Sequence, residues 1–362
     1  MAQSDDRRLV AAVVARFPDQ ATDVIGSRVR QVYAGFDDGL ALQRRWAARV
    51  ADGTRRPNLV MGANVQVCWE KFCRYWDVEP RVVPMSGERF RLDAEHTAAA
   101  CDRDTIGVVA ILGSTFDGGY DPVAGIAAAL DQLADTGGPD VPIHVDGASD
   151  AMIAPFLDQH LLWDFRLPRV ASINTSGHKY GLVYPGVGWV LWRDRAALPE
   201  QLVFNVSYLG GSMPTFTLTS RPGAPVAAQR YAFFRLGRAG FRAVQQAARD
   251  VATRLSSQIA EIPALRLLPR GDEVPAFAFT TERVTGWDVF ALSRALRERG
   301  WQVPAYTFPP NRHHLAVLRV VCRHGFSRDL ADLFLDHIRS AVGQLDAGTG
   351  ARTASGPSGF HH

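Results

Sequence analysis

The segment Pro142–Lys179, PIHVDGASDAMIAPFLDQHLLWDFRLPRVASINTSGHK, contains two short apolar runs separated by a longer amphipathic stretch. The runs Pro142–Asp146 and Val170–Thr175 predict β-strands, and Ser149–Phe156 between them predicts a helix. Two strands joined through a helix are typical of a βαβ unit, in which the strands lie parallel in one sheet. This segment therefore indicates an α/β fold.

The same alternation continues on both sides of this segment, over residues 39–194. Further apolar runs predict strands at Asn58–Gly62, Arg81–Met85, Gly107–Gly113 and Val187–Trp192. Further amphipathic segments predict helices at Val65–Trp76, Asp93–Cys101 and Pro122–Ala134. This alternation predicts a mostly parallel sheet that is covered by helices on both faces.

Beyond Arg221 the pattern changes to apolar residues at helical spacing, through Val226–Leu236 and Phe241–Ile259. A smaller α/β unit is expected to follow, with strands at Ala276–Thr280 and Val317–Cys322 and helices at Trp287–Arg297 and Asp329–Leu345. We therefore expect an irregular N-terminal segment (residues 1–38), a large domain (39–239), a small C-terminal domain (240–345) and a flexible tail rich in Gly, Ser and Thr (346–362).

The composition argues against several classes of partner. The 40 Lys and Arg residues are interspersed with 37 Asp and Glu residues, for a net charge of +3, and this balance predicts no nucleic-acid partner. No apolar run reaches the roughly 18 residues needed to span a membrane, and the N-terminus has no signal-peptide pattern. The four cysteines lack metal or redox spacing, and the adjacent His313 and His314 lack ligand spacing, so we expect a cytoplasmic protein without a metal site.

Three polar residues follow predicted strands: Thr115, Asp146 and Lys179. Ligands of open α/β sheets bind at the carboxyl ends of strands, so these residues are candidates for one active site. A lysine amine can bond covalently to an aldehyde, and a carboxylate can keep a pyridine nitrogen protonated. Each residue alone also fits a structural role, since Lys179 could be a solvated surface residue and Asp146 a helix cap.

Longer segments carry a family resemblance. They occur in order between Gly39 and Leu345: PNLVMGANVQVCWEKFCRYWDVE, DTIGVVAILGSTFDGGYD, HVDGASDAMIAPF, WDFRLPRVASINTSGHKYGLVYPGVGWVLWRD, LPEQLVFNVSYLGG, FFRLGRAGF, RERGWQVPAYT and LRVVCRHGF. Together they resemble the glutamate decarboxylases. The resemblance implies the fold of pyridoxal-phosphate-dependent transferases of the aspartate aminotransferase type. It also implies pyridoxal 5′-phosphate as the cofactor and decarboxylation of L-glutamate to 4-aminobutyrate and carbon dioxide.

The resemblance also implies residue roles. Lys179 matches the Schiff-base lysine, and Asp146 matches the aspartate that pairs with the cofactor's pyridinium. Further positions match residues that contact the ring, the phenolic oxygen or the phosphate: Gln66, Thr115, Ala148, Ser176, His178 and Ser220. Ser220 matches a serine that reaches the cofactor of a neighbouring subunit, which implies a homodimer or a higher homo-oligomer.

Two matched residues would act on the amino-acid substrate. Arg319 matches an arginine that binds the α-carboxylate, a role that suits the forked guanidinium. The alternative for Arg319 is a surface ion pair. Tyr208 matches a loop tyrosine that would deliver a proton to Cα, and its alternative is a packed aromatic side chain.

The N-terminus departs from the family. Only 38 residues precede the matching region, and IGSRVRQVYAGF stands where the family has a Gly-Ser-Ser-Glu turn, so that Ser27 would keep only part of its role. Two alternatives stay open: a decarboxylase of the same group that acts on another amino acid, and a catalytically impaired, N-terminally truncated fragment. His361 and His362 would either fold back over the site as pH rises, as in some bacterial relatives, or belong to a disordered end.

Overall fold

The computed structural model describes residues 56–194, 203–208, 211, 213–215, 222–268, 271–282 and 286–348. The predicted N-terminal segment, Ser27, Ser220 and nearly all of the predicted tail lie outside the described residues. The chain forms two compact units. The first unit consists of the described parts of Met1–Pro84, Arg89–Leu112 and Asp121–Phe241, and the second of those of Met85–Glu88, Gly113–Tyr120 and Arg242–His362.

A six-stranded sheet with the order β2-β1-β3-β4-β5-β6 forms the centre of the first unit. Its strands are β1 (Asn58–Gly62), β2 (Glu79–Val83), β3 (Thr105–Ile111), β4 (Ile143–Asp146), β5 (Val170–Ser176) and β6 (Gly188–Trp192). The first five pair in parallel, and β6 runs antiparallel to β5. The predicted α/β class with a mostly parallel sheet is therefore confirmed. The predicted strand Arg81–Met85 begins two residues earlier in the structure, at Glu79.

The first unit also contains helices and a small hairpin. The helices are α1 (Val67–Tyr75), α2 (Ala94–Ala100), α3 (Val123–Asp135), α4 (Ala154–Leu157) and α5 (Ala224–Ala260), of which α5 continues into the second unit. The hairpin pairs β7 (Phe204–Val206) with β8 (Met213–Thr215). Among the described helices, none is both long enough and apolar enough to cross a membrane.

The predicted helix Ser149–Phe156 is largely wrong. Turns occupy residues 148–153, and the helix begins only at Ala154 and ends at Leu157. The turns are closed by backbone hydrogen bonds from Ala151 to Gly147 and from Ile153 to Asp150. Gly, Ser and Asp favour such turns over helix interiors, and this local preference outweighs the apolar spacing on which the prediction was based.

The helix α1 packs its apolar face against the central sheet. Trp69 and Phe72 of α1 join Leu59 and Met61 of β1 and Val109 of β3 in one buried cluster. Burial of each side chain of this size contributes about 1.5–3 kcal/mol. The cluster therefore fixes the helix that carries Trp69 over the sheet.

The second unit is built on an antiparallel sheet with the order β11-β12-β10-β9. Its strands are β9 (Leu265–Leu267), β10 (Ala276–Thr281), β11 (Ala305–Thr307) and β12 (Ala316–Val321), and its helices are α6 (Val289–Arg297) and α7 (Arg328–Ala347). A short 3₁₀ helix covers Pro310–Arg312. The side chains of Asp288 and Ser327 accept backbone hydrogen bonds at the starts of α6 and α7, as N-caps do.

The two predicted helical stretches after Arg221 form one element, α5, with a kink. Gly237 has φ 57° and ψ −169° inside it, a conformation that glycine adopts without steric cost. The chain passes from the first unit to the second within α5, between Phe241 and Arg242.

Candidate active site

Asp146 and Lys179 lie at the carboxyl ends of neighbouring parallel strands of the first unit. Asp146 is the last residue of β4, and Lys179 follows the end of β5 at Ser176. The Lys179 amine donates a hydrogen bond to the Ser149 hydroxyl at 3.3 Å, so it is held over the turn that begins after Asp146. The two side chains thus occupy the same edge of the sheet, as their places after the predicted strands implied.

The Asp146 carboxylate is buried and surrounded by N–H donors. Its Oδ2 accepts from Trp69 Nε1 at 2.7 Å, and its Oδ1 accepts from Asn174 Nδ2 at 3.1 Å and from the Ala148 backbone N–H at 3.2 Å. The residue is only 6% exposed. The helix-cap alternative for Asp146 does not hold, because the next helix begins only at Ala154.

These contacts leave the carboxylate suited to a cationic N–H group. An ionised carboxylate only accepts hydrogen bonds and has about four lone-pair positions. The three distances place two donors on Oδ1 but one on Oδ2, so Oδ2 retains an acceptor position. A protonated pyridine nitrogen is a single cationic N–H donor. The residues present at Asp146 therefore fit the cofactor that the sequence implies.

The turn that carries Lys179 is fixed by Gln229 of α5. Gln229 is fully buried, and its amide donates a hydrogen bond of 2.7 Å to the Gly181 carbonyl. A Cβ at Gly177 would lie 2.5 Å from Gln229 Oε1, and one at Gly181 would lie 2.7 Å from the same atom. A Cβ at Gly177 would also lie 2.6 Å from Val187 Cγ1, and one at Gly181 would lie 2.6 Å from the Gly177 carbonyl oxygen, so this close packing favours glycine at both positions.

Several residues that the resemblance assigns to the cofactor lie around this edge of the sheet. The Ser176 backbone N–H donates to the Ala148 carbonyl at 3.1 Å, which joins those two positions, and both residues are half-buried, as is His178. Gln66 is exposed and serves as the N-cap of α1, where its side chain accepts from the Cys68 N–H at 2.6 Å.

The thiol of Cys68 reports the electrostatics of the site. Partial burial raises the pKa of this thiol to about 11, and the negative charge of Asp146 contributes to the rise. The positive charge of Lys179 acts in the opposite direction on the same pKa. Both charges therefore act on one thiol at the start of α1.

Arg319 and Thr115 belong to the second unit. The Arg319 guanidinium donates from Nη1 to the Thr115 carbonyl, and its carbon lies 5.8 Å from the centre of the Tyr306 ring. Among the described residues, Arg319 Nε has no hydrogen-bond partner although it is buried. Arg319 therefore contacts a carbonyl and an aromatic ring, and these contacts differ from those of a surface ion pair. Its Nε–H remains as a donor for a further ligand.

Two other predicted residues are less defined by the structure. Tyr208 follows β7 and is 84% exposed, so it is not a packed aromatic side chain in this structure. Ser220 lies outside the described residues. The roles of both stay predictions.

Four residues that were not predicted shape the site: Trp69, His144, Asn174 and Gln229. His144 and Asp146 are two apart on β4, so they lie on one face of the sheet. The same period of two places Ser172 and Asn174 together on β5. This polar alternation within otherwise apolar strands was a signal that the sequence contained. Trp69 and Gln229 approach the site from distant parts of the chain, and no local pattern reveals their contacts.

Comparisons with known proteins agree with this geometry. The family profile described as the pyridoxal-dependent decarboxylase conserved domain matches residues 38–282. A glutamate decarboxylase of Aliivibrio fischeri is 48% identical over 332 residues, which are 90% of this chain and 71% of that protein. Glutamate decarboxylase 1 of Arabidopsis thaliana is 45% identical over 312 residues, 85% of this chain and 62% of that protein.

A solved structure extends the likeness to the fold. The glutamate decarboxylase of Lactobacillus brevis superimposes with a TM-score of 0.83 at 38% identity, covering 97% of this chain and 81% of that one. This similarity confirms the predicted fold of pyridoxal-phosphate-dependent transferases. The resemblance to the glutamate decarboxylases is confirmed as well.

Proposed function

This chain belongs to the pyridoxal-dependent decarboxylase family, and from that premise we propose that it converts L-glutamate to 4-aminobutyrate and carbon dioxide. Its cofactor is pyridoxal 5′-phosphate. The observation that carries the proposal is the buried Asp146 carboxylate, which keeps an acceptor position on Oδ2 at the sheet edge that also carries Lys179. The chain covers 71% of the Aliivibrio relative and 62% of the Arabidopsis relative, so the activity of the whole protein is part of the proposal.

The proposed binding roles follow the chemistry of each side chain. The amine of Lys179 would hold the cofactor through its aldehyde carbon. The Asp146 carboxylate would keep the pyridine nitrogen protonated, and its buried surroundings strengthen that attraction. Ala148 and Gln66 would flank the ring, and Ser176 and His178 would serve the phosphate. The match to the family supports these four assignments, as it does those of Thr115 and Ser220.

When bound, pyridoxal 5′-phosphate supplies an electron sink for the pair left on Cα as carbon dioxide departs. Arg319 would hold the substrate's α-carboxylate in fork geometry, and its unpartnered Nε supports that role. The phenol of Tyr208 would deliver the proton that replaces carbon dioxide on Cα. Its exposure allows the hydroxyl to reach a ligand from solvent.

The assembly and compartment are part of the proposal too. The enzyme would act as a homodimer or larger homo-oligomer in the cytoplasm. Exposed aromatic side chains on α5, Tyr231 at 68% and Phe234 at 54%, are typical of a surface that another subunit covers. All four cysteines are free thiols, which suits a reducing compartment. Light scattering of the purified chain measures the assembly directly.

The lysine content of the chain allows a sharp test of the site. Lys71 and Lys179 are its only lysines, and Lys71 is exposed on α1. Borohydride reduction of the cofactor-loaded protein, followed by peptide mapping, should place the cofactor on Lys179. Lys179→Ala should abolish the visible absorbance, whereas the control Lys71→Ala should retain it. Retained absorbance in Lys179→Ala, or label on Lys71, would show that the assignment is wrong.

The substrate is tested by measuring carbon dioxide and amine product from glutamate, aspartate and the aromatic amino acids. Release from glutamate is expected to be the fastest. Release from another amino acid alone would reassign the substrate within the same group. A coloured protein that releases no carbon dioxide from any of them would favour the impaired fragment.

A further inference from the structure

A row of polar side chains crosses the buried face of β4 and β5 behind Asp146. His144 and Ser172 are opposite each other in the strand register, as are Asp146 and Asn174. His144 and Ser172 are fully buried. Buried polar groups in a sheet are retained when each one finds a hydrogen-bond partner, and here the partners are one another.

The direction of each hydrogen bond follows from the chemistry of Asp146. A carboxylate only accepts, so the Asn174 group that lies 3.1 Å from Asp146 Oδ1 must be its NH₂. The Asn174 oxygen therefore faces the other way, toward His144 Nε2 at 2.8 Å. That oxygen also only accepts, so Nε2 of His144 carries the proton.

The other ring nitrogen of His144 is then an acceptor. Burial lowers the pKa of His144 to about 4, although the Asp146 charge and the Asn174 hydrogen bond act to raise it, so the ring is neutral near pH 7. A neutral imidazole carries one N–H, and Nδ1 accepts from the Ser172 hydroxyl at 2.6 Å. The centres of the Trp69 and His144 rings lie 5.0 Å apart, and Trp69 Nε1 donates a hydrogen bond to Asp146 Oδ2.

We propose that His144 is a positioning residue for the reaction: through Asn174, its Nε2–H fixes the orientation in which Asp146 meets the cofactor's pyridine nitrogen. If the Asn174 amide turned over, its NH₂ would face the His144 N–H and its oxygen would face the carboxylate, so two attractive contacts would become repulsive. His144 therefore holds the amide in the one orientation that donates to Asp146. The inference rests on the proposed role of Asp146 and adds the residues that set its geometry.

The first test needs no cofactor. ¹⁵N NMR of the full chain without pyridoxal 5′-phosphate reports the tautomer of each histidine, and His144→Gln identifies the His144 signals by their loss. His144 is expected to be a neutral Nε2–H tautomer at pH 7. A proton on Nδ1, or a doubly protonated ring at that pH, would overturn the proposal. Because this readout is independent of catalysis, it tests the role of His144 separately from the proposed function.

The second test measures the affinity for pyridoxal 5′-phosphate, from its visible absorbance, in a double-mutant cycle. His144→Leu removes the donor and should weaken affinity about tenfold or more, since a hydrogen bond is lost from a network around a charged group. His144→Gln keeps an amide donor and should recover most of that loss. In an Asn174→Leu background, His144→Leu should have little further effect on affinity, because the hydrogen bond between His144 and Asn174 is already absent.

The cycle also distinguishes positioning from general structural damage. The melting temperature should fall further in the double variant than in either single variant, whereas affinity should not. If His144→Leu weakens affinity as much with Leu at position 174 as with Asn, His144 does not act through Asn174 and the proposal is overturned. A wild-type chain that binds no cofactor at all would instead contradict the proposed function.

Discussion

Replacement of Asp146 by Asn removes one charge with little change of shape. An amide accepts only through its oxygen, whereas the carboxylate accepts from three N–H groups on two oxygens. The new side chain should keep its oxygen toward Asn174 and Ala148, where two donors converge. Its NH₂ then faces Trp69 Nε1, so the hydrogen bond from that N–H to Oδ2 is lost at a cost of about 1–3 kcal/mol.

The larger effect of Asp146→Asn concerns the cofactor. Loss of the attraction between a carboxylate and a cationic ring nitrogen corresponds to about 4 kcal/mol for unit charges about 4 Å apart at an effective dielectric constant of about 20. We therefore expect kcat for glutamate decarboxylation to fall about a thousandfold at saturating pyridoxal 5′-phosphate. Lys179 is unchanged in this variant, so visible absorbance should persist.

The assay for Asp146→Asn is initial-rate carbon dioxide release, with bound cofactor measured by absorbance in the same samples. Asp164→Asn is the matched control, because Asp164 is also a buried aspartate of the first unit but is paired with Arg166 instead. It should lower stability while leaving kcat nearly unchanged. An Asp146→Asn protein with kcat within tenfold of wild type would refute the assignment of Asp146.

Three other outcomes can be measured without turnover. Gln229→Leu removes the hydrogen bond to Gly181 and should lower the free energy of unfolding by about 1–3 kcal/mol in denaturant titrations. Borohydride trapping of the cofactor on Lys179 should also become slower, and unchanged trapping would show that Gln229 does not fix the turn that carries this lysine. Gly237→Ala should destabilise the protein by about 1–2 kcal/mol because φ is +57° at this position, whereas Gly343→Ala, at an exposed position inside the helix α7, should stabilise it by about 0.5–1 kcal/mol. If thermal melts showed that both variants change stability in the same direction, the kink at Gly237 would be contradicted. The pKa of Cys68 is raised to about 11, which leaves little thiolate at pH 8. The rate of its alkylation by iodoacetamide, measured by mass spectrometry, should therefore rise about tenfold per pH unit until that pKa is approached, and a rate that levels off near pH 8 would contradict the partial burial of this thiol.

The sequence predicted best those features that depend on local periodicity. Apolar residues such as Val145 of β4 and Ile173 of β5 marked these two strands, and the ends of the predicted strands located Asp146 and Lys179 at one edge of the sheet. The helix at 149–156 was wrong because small polar residues form turns there, and apolar spacing does not register that preference. The turn preference of the small polar residues, rather than the hydrophobic pattern, determines the backbone conformation beside Asp146.

Contacts between distant segments could not be predicted in the same way. Trp69 lies 77 positions before Asp146, and the hydrogen bond between them depends on how α1 packs on the sheet. Gln229 reaches Gly181 across 48 positions from a helix whose sequence shows only apolar spacing. The resemblance to a family supplied roles for residues that would touch the cofactor, but it gave none for the residues behind them.

The alignment of the polar row depends on an irregularity in the sheet. Ile143 pairs with Val170, but the next residue, His144, pairs with Ser172, so β5 contains one extra residue, Ala171, at this point. If the ladder instead continued regularly, with Ala171 opposite His144, Asp146 would lie opposite Ile173 rather than Asn174, because a shift of one position exchanges the two faces of a strand. The apolar face would then stand where the carboxylate needs donors. The same local bulge that interrupts the ladder therefore brings Asn174 and His144 into line with Asp146, and the register of two strands sets the chemistry of the site.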